Sequence, residues 1–198
     1  FDPMHRRLPQ NEETEYYATS GYGGNKRRCE EILLNADCKD MHWTILRPCH
    51  IYGPGSLLGC LPAHGRDGQL IETMRAEQPL ALVGGGHFLQ QPILASDLAA
   101  LCLSCLDNDQ THEQIFCAAG PDIIESRTYY QIIADHLDVS LTVEELPVDV
   151  YLREHPSAAP FLCHRIYDMR KLQQSGAAVP NTPLVDGLRE HVAHLLDK

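Results

Sequence analysis

Along most of the chain, stretches with apolar residues at helical spacing alternate with short, continuously apolar runs. Cys29, Ile32 and Leu33 form a helical stripe, and the apolar run that follows at 41–47 is typical of a buried strand. Such alternation predicts an α/β domain with a parallel sheet. The predicted helices span about 22–34, 69–77, 98–106, 126–137, 148–154 and 168–176, with a last one from Thr182; the predicted strands span 41–47, 80–83, 114–118 and 141–146, and 87–95 is a further extended segment.

Polar residues at the starts of three helices predict how these helices begin. Ser126 and Asp97 are predicted to be N-caps, and Thr182-Pro183 has the composition of an N-cap followed by the first helical residue. The helix over 98–106 is apolar on almost every side, which predicts that it is buried.

The charge balance narrows the range of partners. The chain has 198 residues, enough for one sizeable domain, and a formal net charge of −11 with no basic run longer than 26–28. We therefore expect no nucleic-acid partner, since phosphate contacts need a basic face. No apolar run reaches membrane-spanning length, so no membrane partner is expected either. A small anionic substrate is still possible, because an acidic protein can contain a local basic pocket.

The eight cysteines are dispersed, and most lie in apolar context, where cysteine behaves as a small hydrophobic residue. Cys102-x-x-Cys105 has the spacing of a metal-ligand pair, but no second pair or histidine cluster completes a zinc site. The sequence therefore predicts reduced cysteines, a cytoplasmic protein and no metal.

Tyr22 and Lys26 lie one turn apart at the head of the first predicted helix, and so they share one face of it. A phenol in water is a poor base at neutral pH, because its pKa is near 10. An ammonium group about 4 Å away would favour the phenolate by ~4 kcal/mol at an effective dielectric constant of about 20, which would suit acid–base catalysis near neutrality. Because Y-x-x-x-K also occurs by chance on solvated helices, the pair alone leaves a catalytic and an ordinary surface interpretation open.

The landmarks after this pair stand in an order that is similar to one family. They are Tyr22-Gly-Gly-Asn-Lys26, Glu30, Ile45-Leu-Arg-Pro-Cys-His-Ile-Tyr-Gly-Pro-Gly55, the segments 91–99 and 116–120, and the closing Pro183-Leu-x-x-Gly187-Leu. Together they resemble the extended short-chain dehydrogenase/reductases, in the branch of the nucleotide-sugar epimerases and dehydratases. The resemblance runs from residue 1 to about residue 196. It implies an α/β fold, namely the second half of a Rossmann-like doubly wound parallel sheet plus a small mixed α/β substrate-binding lobe.

The resemblance also implies a division of the chain and of the catalytic work. Residues 1–53 and 94–120 would form part of an NAD(P)-binding domain, and residues 54–93 and 121–198 a substrate-binding lobe with the C-terminal helix. Tyr22 would be the acid/base for a substrate hydroxyl during hydride transfer to or from NAD or NADP, and Lys26 would hold the ribose hydroxyls. A loop that leaves the carboxyl end of a strand faces the cofactor crevice of such a sheet. Besides Tyr22 and Lys26, the cofactor would therefore meet the backbone around Pro48, Cys49, His50 and Ile51, which would line the nicotinamide edge.

Four further residues are implied on the substrate side. His87 and Gln91 stand where family members contact a sugar or its nucleotide, although a solvated strand edge is the alternative. Arg165 and Tyr167 could meet an anionic group or form an ordinary surface pair. Family members that act on nucleotide sugars often carry Arg at the position of Gln91, and its absence weakens the nucleotide-diphosphate interpretation.

Part of the family's site is not found in the sequence. A Gly-rich phosphate loop should follow the first strand, and Gly84-Gly-Gly86 does not serve because no helix follows it closely. The chain also opens with Phe1 in place of Met. We therefore expect a missing N-terminal half of the same chain to complete the site. Homodimerisation, in which the helix of Tyr22 takes part, is a further expectation from the family.

Two functions remain open at this stage. The first is an NAD(P)-dependent epimerase, dehydratase or reductase for a nucleotide sugar or a related hydroxyl or carbonyl substrate, present as a fragment that is inactive alone. The second is a non-catalytic, sensor-like member of the same fold that binds the cofactor, which Gln91 and the unusual Gly23-Gly24 pair suggest.

Overall fold

The structure is a computed structural model, and it describes residues 7–13 and 21–197. Its helices are α1 (Gly21–Asn35), α2 (Leu70–Arg75), α3 (Ala95–Ser104), α4 (Ser126–Leu137), α5 (Val148–Glu154), α6 (Arg170–Gln173) and α7 (Leu184–Leu196). Its strands are β1 (Thr44–Pro48), β2 (Ile51–Tyr52), β3 (Leu80–Val83), β4 (Leu89–Gln90), β5 (Ile93–Leu94), β6 (Gln114–Ala118), β7 (Ile124–Glu125) and β8 (Val143–Leu146). Gly84–Gly86 and Pro156–Phe161 form short 3₁₀ turns.

The described strands are joined in pairs, most of which are parallel. β1 runs parallel to β6, with Thr44 opposite Gln114 and Pro48 opposite Ala118. β2 pairs with β5 and β3 pairs with β8 in the same sense, whereas β4 and β7 are antiparallel. Parallel neighbours need a crossover connection, and the chain passes through α3 on its way to β6. The predicted α/β fold with parallel strands is thus observed.

The pair β1–β6 is covered on both faces. Leu46 of β1 and Phe116 of β6 pack with Leu101 of α3 in one apolar cluster. Side chains alternate between the two faces of a strand, so the neighbouring Arg47 points to the other face, where it meets Glu30 of α1. α1 and α3 therefore lie on opposite faces of this strand pair, as expected for a doubly wound fold.

A second and larger apolar cluster lies around α4 and α7, and aromatic side chains form its centre. Tyr129 and Tyr130 of α4 are almost fully buried there. A buried phenol needs a hydrogen-bond partner, and the Tyr130 hydroxyl donates to the Cys60 carbonyl (2.6 Å) and accepts from the Cys60 N–H (2.9 Å). α7 contributes an inward stripe, as its spacing predicts, with Leu184, Leu188, Val192 and part of Leu195.

The side chains that we expected to cap helices bind elsewhere. The Ser126 hydroxyl donates to a carbonyl of the Gly84–Gly86 turn (2.9 Å). Asp97 lies inside α3, and its carboxylate accepts from the backbone N–H of Thr182 (2.9 Å) and from the Thr182 hydroxyl (2.8 Å). α7 begins one residue later than predicted, at Leu184, whose N–H donates to Asp122 (2.6 Å). The three capping predictions are wrong because distant segments bring these side chains other partners.

α3 is buried along one side only. Leu101 is fully buried, but Leu103 is 68% exposed and Leu106, just beyond the helix, is 66% exposed. The prediction that this helix is buried on every side is wrong, because a helix on one face of a sheet is covered only where it meets the strands. In the part of the chain that the structure describes, no helix is long and apolar enough to span a membrane.

Candidate active site

The first two turns of α1 carry Tyr22 and Lys26 on one side, as their spacing predicts. The Lys26 ammonium lies 5.5 Å from the centroid of the Tyr22 ring, and Tyr22 is 78% exposed. Gly23 follows the tyrosine without a side chain, and Gly24 is the residue through which α1 is buried. The phenol is therefore presented at an uncrowded surface that a ligand can approach closely.

A cavity of about 440 Å³ opens beside this pair. One wall is the first half of α1, and the opposite wall is the end of β1 with the start of β2. Tyr167, from the segment before α6, closes a third side. The lining residues are Tyr22, Gly23, Lys26, Arg27, Glu30, Leu46, Arg47, Pro48, Ile51 and Tyr167.

Two residues of the loop from Pro48 to Ile51 line this cavity, and the side chains of the other two pack in the interior. Pro48 and Ile51, two of the positions predicted to contact the cofactor, line the cavity. The Cys49 thiol instead donates to the Gln91 carbonyl (2.7 Å), and the His50 ring lies edge-on to Tyr129, with centroids 6.3 Å apart. The side chains of Cys49 and His50 thus pack against protein groups away from the cavity.

Burial sets the protonation of these two side chains. Desolvation raises the pKa of Cys49 to about 12, so the thiol is not a nucleophile at neutral pH. Desolvation, helped by the positive charge of Arg66, lowers the pKa of His50 to about 4. His50 is therefore a neutral imidazole near pH 7, and neither residue brings charge to the cavity.

An ion pair fixes α1 to the strand that forms the other wall. Arg47 Nε donates to Glu30 Oε1 (3.0 Å) and Arg47 Nη2 donates to Glu30 Oε2 (2.6 Å). The two side chains are only 13% and 21% exposed, respectively. A bidentate pair of this kind restrains orientation as well as distance, so it holds the helix of Tyr22 in place over β1.

Of the residues predicted on the substrate side, some lie at the cavity and others lie away from it. Tyr167 lines the cavity, and its backbone N–H donates to Gln91 Oε1 (2.8 Å). Nε2 of the same amide donates to the Gly120 carbonyl (2.9 Å), so the Gln91 side chain supports Tyr167 from inside the protein. His87 lies apart from the cavity and pairs with Glu125 (3.0 Å) on an exposed surface.

Arg165 is buried but does not line the cavity. It is 8% exposed, and its Nη1 donates to the carbonyls of Phe161 (3.2 Å) and Cys163 (3.4 Å). No carboxylate among the described residues pairs with this guanidinium. Its charge acts on His50 and on Cys60, whose pKa it lowers against the larger effect of burial.

One polar residue of this region was missed by reasoning from the sequence. Gln90 is fully buried, and both atoms of its amide lack a hydrogen-bond partner in the described structure. It lies beside Gln91 at the centre of the predicted extended segment 87–95, and no sequence signal separates the two glutamines. Among the described residues, no group of three or more His, Cys, Asp or Glu side chains is placed to hold a metal ion.

A family model agrees with the sequence landmarks. The model of the NAD dependent epimerase/dehydratase family matches residues 1–119. The chain belongs to this family. The predicted resemblance is therefore confirmed. A search of curated proteins found no significant match.

Solved structures of epimerases share the fold of this family member. A UDP-glucuronic acid 4-epimerase from Bacillus cereus, in complex with UDP-glucuronic acid and NAD, aligns with a TM-score of 0.75 at 18% identity, over 97% of this chain and 57% of its own. A UDP-N-acetylglucosamine 4-epimerase from Methanobrevibacter ruminantium gives 0.76 at 17% identity, over 98% and 59%. A UDP-glucose 4-epimerase from Thermus thermophilus, in complex with NAD, gives 0.72 at 18% identity, over 96% and 59%. The chain thus spans under two thirds of these proteins, and the likeness confirms the predicted Rossmann-like fold.

Proposed function

We propose that the chain supplies the proton-transfer half of an NAD-dependent epimerase or dehydratase that acts on a nucleotide sugar or a related hydroxyl or carbonyl substrate. The observation that carries this proposal is the exposed Tyr22 phenol beside the Lys26 ammonium at the mouth of the cavity. Membership of the family supports it, and so does the NAD bound in two of the epimerase structures with the same fold.

The residues around the cavity fit a nicotinamide cofactor. Its volume lies within the roughly 300–1,000 Å³ of small-molecule sites, and Gly23 leaves the start of α1 open to a flat ring or a ribose. Pro48 and Ile51 offer an apolar wall, while Lys26 offers three donors to ribose hydroxyls. NAD, when bound, supplies hydride acceptance and return.

In this mechanism the chain's own groups handle the proton. The Tyr22 phenolate accepts the proton of a substrate hydroxyl when the adjacent carbon is oxidised, and the phenol returns it when the carbonyl is reduced. The Lys26 ammonium lies 5.5 Å from the centroid of the Tyr22 ring, and both residues line the cavity. Because Glu30 and Arg47 hold α1 against β1, the phenol keeps its position relative to the cavity through both steps.

We further propose that a preceding half of the same chain completes the sheet and the phosphate-binding part of the site. The chain covers under two thirds of the epimerase structures that share its fold, which supports this proposal. Residues 1–53 and 94–120 would then belong to the cofactor domain, and residues 54–93 and 121–198 to the substrate lobe. Intact-mass analysis of the purified protein tests this, because a co-purifying N-terminal piece would reveal a nicked chain.

Two proposals concern the protein's surroundings. Ile32 is 72% exposed and Leu34 is 48% exposed on α1, which supports a homodimer formed through this helix. The Ile32→Glu variant should then have a lower molar mass by light scattering.

The eight cysteines are all free, which supports a reducing compartment such as the cytoplasm.

The test of function compares binding with turnover. Quenching of NADH fluorescence measures cofactor binding, and conversion of UDP-glucose and UDP-glucuronic acid measures turnover. In a protein that includes the preceding half, the proposal predicts both activities, with Lys26→Met weakening cofactor binding. Cofactor binding without turnover of any hydroxyl-bearing substrate would support the sensor-like alternative instead.

A further inference from the structure

The segment 10–12 runs beside Tyr167, the residue that closes the third side of the cavity. The Gln10 N–H donates to the Ile166 carbonyl (2.7 Å), and the Gln10 carbonyl accepts from the Asp168 N–H (2.7 Å). Gln10 thus forms a parallel bridge with Tyr167, and it is only 4% exposed. The backbone on both sides of Tyr167 is therefore fixed to this segment.

Two residues further along the chain, Glu12 contacts both strands of the pair β1–β6. Its Oε1 accepts from the backbone N–H of Cys117 in β6 (2.6 Å), and its backbone carbonyl accepts from Arg47 Nη1 in β1 (3.3 Å). Arg47 and Cys117 lie opposite one another in the register of the two strands. Because Arg47 also lines the cavity, the segment 10–12 joins the strand wall of the cavity to the wall that Tyr167 forms.

The carboxylate of Glu12 makes the strongest of these contacts. A hydrogen bond to an ionised carboxylate is shorter and roughly twice as strong as one between neutral groups, and the bond from the Cys117 N–H is short at 2.6 Å. The other contact of Glu12 uses its backbone carbonyl, which any residue provides. Substitution of Glu12 therefore removes the side-chain anchor of the segment and leaves the backbone groups of the segment in place.

We propose that Glu12 is a positioning residue of the candidate active site, whose carboxylate anchors the segment 10–12 to β6 and thereby fixes the distance between Tyr167 and β1 across the cavity. This inference rests on the proposed function and deepens it, since it names what sets the width of the ligand site. Glu12 is not among the residues that line the cavity. It therefore acts through Tyr167 and Arg47, which do line it, and not by touching a ligand.

A positioning role predicts an effect on binding and not on the chemical step, because Glu30 still holds Arg47 and α1. In a protein that includes the preceding half, Glu12→Ala should raise the KM for the UDP-sugar about tenfold, while kcat stays within about twofold. Glu12→Gln should keep the KM of the parent, since its amide oxygen still accepts from the same N–H of β6. Glu13→Ala is the matched control, because it removes the same charge from an exposed neighbour, and it should leave KM and kcat unchanged.

A thiol reagent reports on the anchor without any ligand. Cys117 is fully buried, its Sγ lies 4.0 Å from the Gln10 carbonyl, and burial, together with the charge of Glu12, raises its pKa. Iodoacetamide should therefore label Cys117 slowly in the parent, since the thiolate is the reactive form. Glu12→Ala should speed this labelling about tenfold, measured on the Cys117 peptide by mass spectrometry. Glu12→Gln and Glu13→Ala should label nearly as slowly as the parent, because the thiol stays buried.

The outcomes separate the positioning role from the function on which it rests. A parent that converts neither UDP-glucose nor UDP-glucuronic acid refutes the proposed function and the role in its site together. With an active parent, an unchanged KM or equally slow labelling of Cys117 in Glu12→Ala overturns the positioning role, while the function stands. The role is also overturned if Glu12→Ala fails to fold or loses kcat as strongly as it gains KM, since the contact is then structural only. A KM raised equally by Glu12→Gln would show that the charge matters and not the hydrogen bond, which contradicts the anchor.

Discussion

The ion pair between Glu30 and Arg47 should be worth about 2 kcal/mol, because it is bidentate and largely shielded from water. Charges about 4 Å apart attract by ~4 kcal/mol at an effective dielectric constant of about 20, and desolvation offsets part of this. The side chains are 21% and 13% exposed, so the coupling should lie between the ~0.2–1 kcal/mol of exposed pairs and the roughly 3–5 kcal/mol lost on breaking fully buried ones.

A double-mutant cycle measures this coupling directly. The free energy of unfolding is determined by urea denaturation for the parent, Glu30→Gln, Arg47→Met and the double variant. The chain offers a matched control in Asp149 and Arg153 of α5, which also form a salt bridge (3.1 Å) but are 73% and 70% exposed. The same cycle on this control pair should give at most about 0.5 kcal/mol.

The comparison can refute the reasoning in two ways. Equal couplings for the two pairs would show that burial does not strengthen the link between α1 and β1. A full rescue of stability by Arg47→Lys would show that the fork geometry is unimportant, since a lysine keeps the charge but loses the two parallel hydrogen bonds. Either result would remove the argument that this pair fixes the helix of Tyr22.

Three further predictions concern stability. The pKa of His50 is lowered to about 4 in the folded protein, so the unfolded chain binds a proton at a higher pH than the folded one. The free energy of unfolding should therefore fall by ~2 kcal/mol between pH 7 and pH 5. Urea denaturation of the His50→Leu variant should show a smaller fall. Gly187→Ala should destabilise α7 by about 1–3 kcal/mol despite the better helix propensity of alanine, because the new methyl would collide with the Tyr52 hydroxyl and lie 3.0 Å from its ring; Tyr52→Phe should recover part of the loss, and a stable Gly187→Ala variant with unchanged Tyr52 would contradict the packing. Asp97→Ala should cost about 1–3 kcal/mol, since it leaves the N–H and hydroxyl of Thr182 without their acceptor; an unchanged denaturation midpoint would show that water replaces the carboxylate.

Elements with complete local signals could be predicted from the sequence. β3 at Leu80–Val83 and β6 at Gln114–Ala118 have the predicted bounds because each is a short apolar run between polar turns. α4 at Ser126–Leu137 also has the predicted bounds, since its apolar stripe fixes the face that packs. The pair Tyr22 and Lys26 could be found for the same reason, because the spacing on one helix decides which side chains are neighbours.

Features that depend on distant segments could not be predicted. Asp97 resembles an N-cap in its own segment, and only the fold brings Thr182 to its carboxylate. The contrast between Gln90 and Gln91 is likewise invisible in the sequence, because two identical side chains differ only in what the fold places beside them. The backbone around Cys49 and His50 was predicted at the nicotinamide edge with Pro48 and Ile51, and only the fold decides that the two side chains pack against Gln91 and Tyr129.

The central claim is that Tyr22 transfers the substrate proton, and turnover by the Tyr22→Phe protein tests it most directly. Phenylalanine keeps the ring beside Lys26 and removes only the hydroxyl, so NADH binding by fluorescence should stay close to that of the parent. With the preceding half of the chain present, the account predicts that the rate of UDP-sugar conversion falls by about 10²–10⁴-fold, the usual contribution of a general acid–base. Turnover equal to that of the parent, with cofactor binding intact, would contradict the assignment.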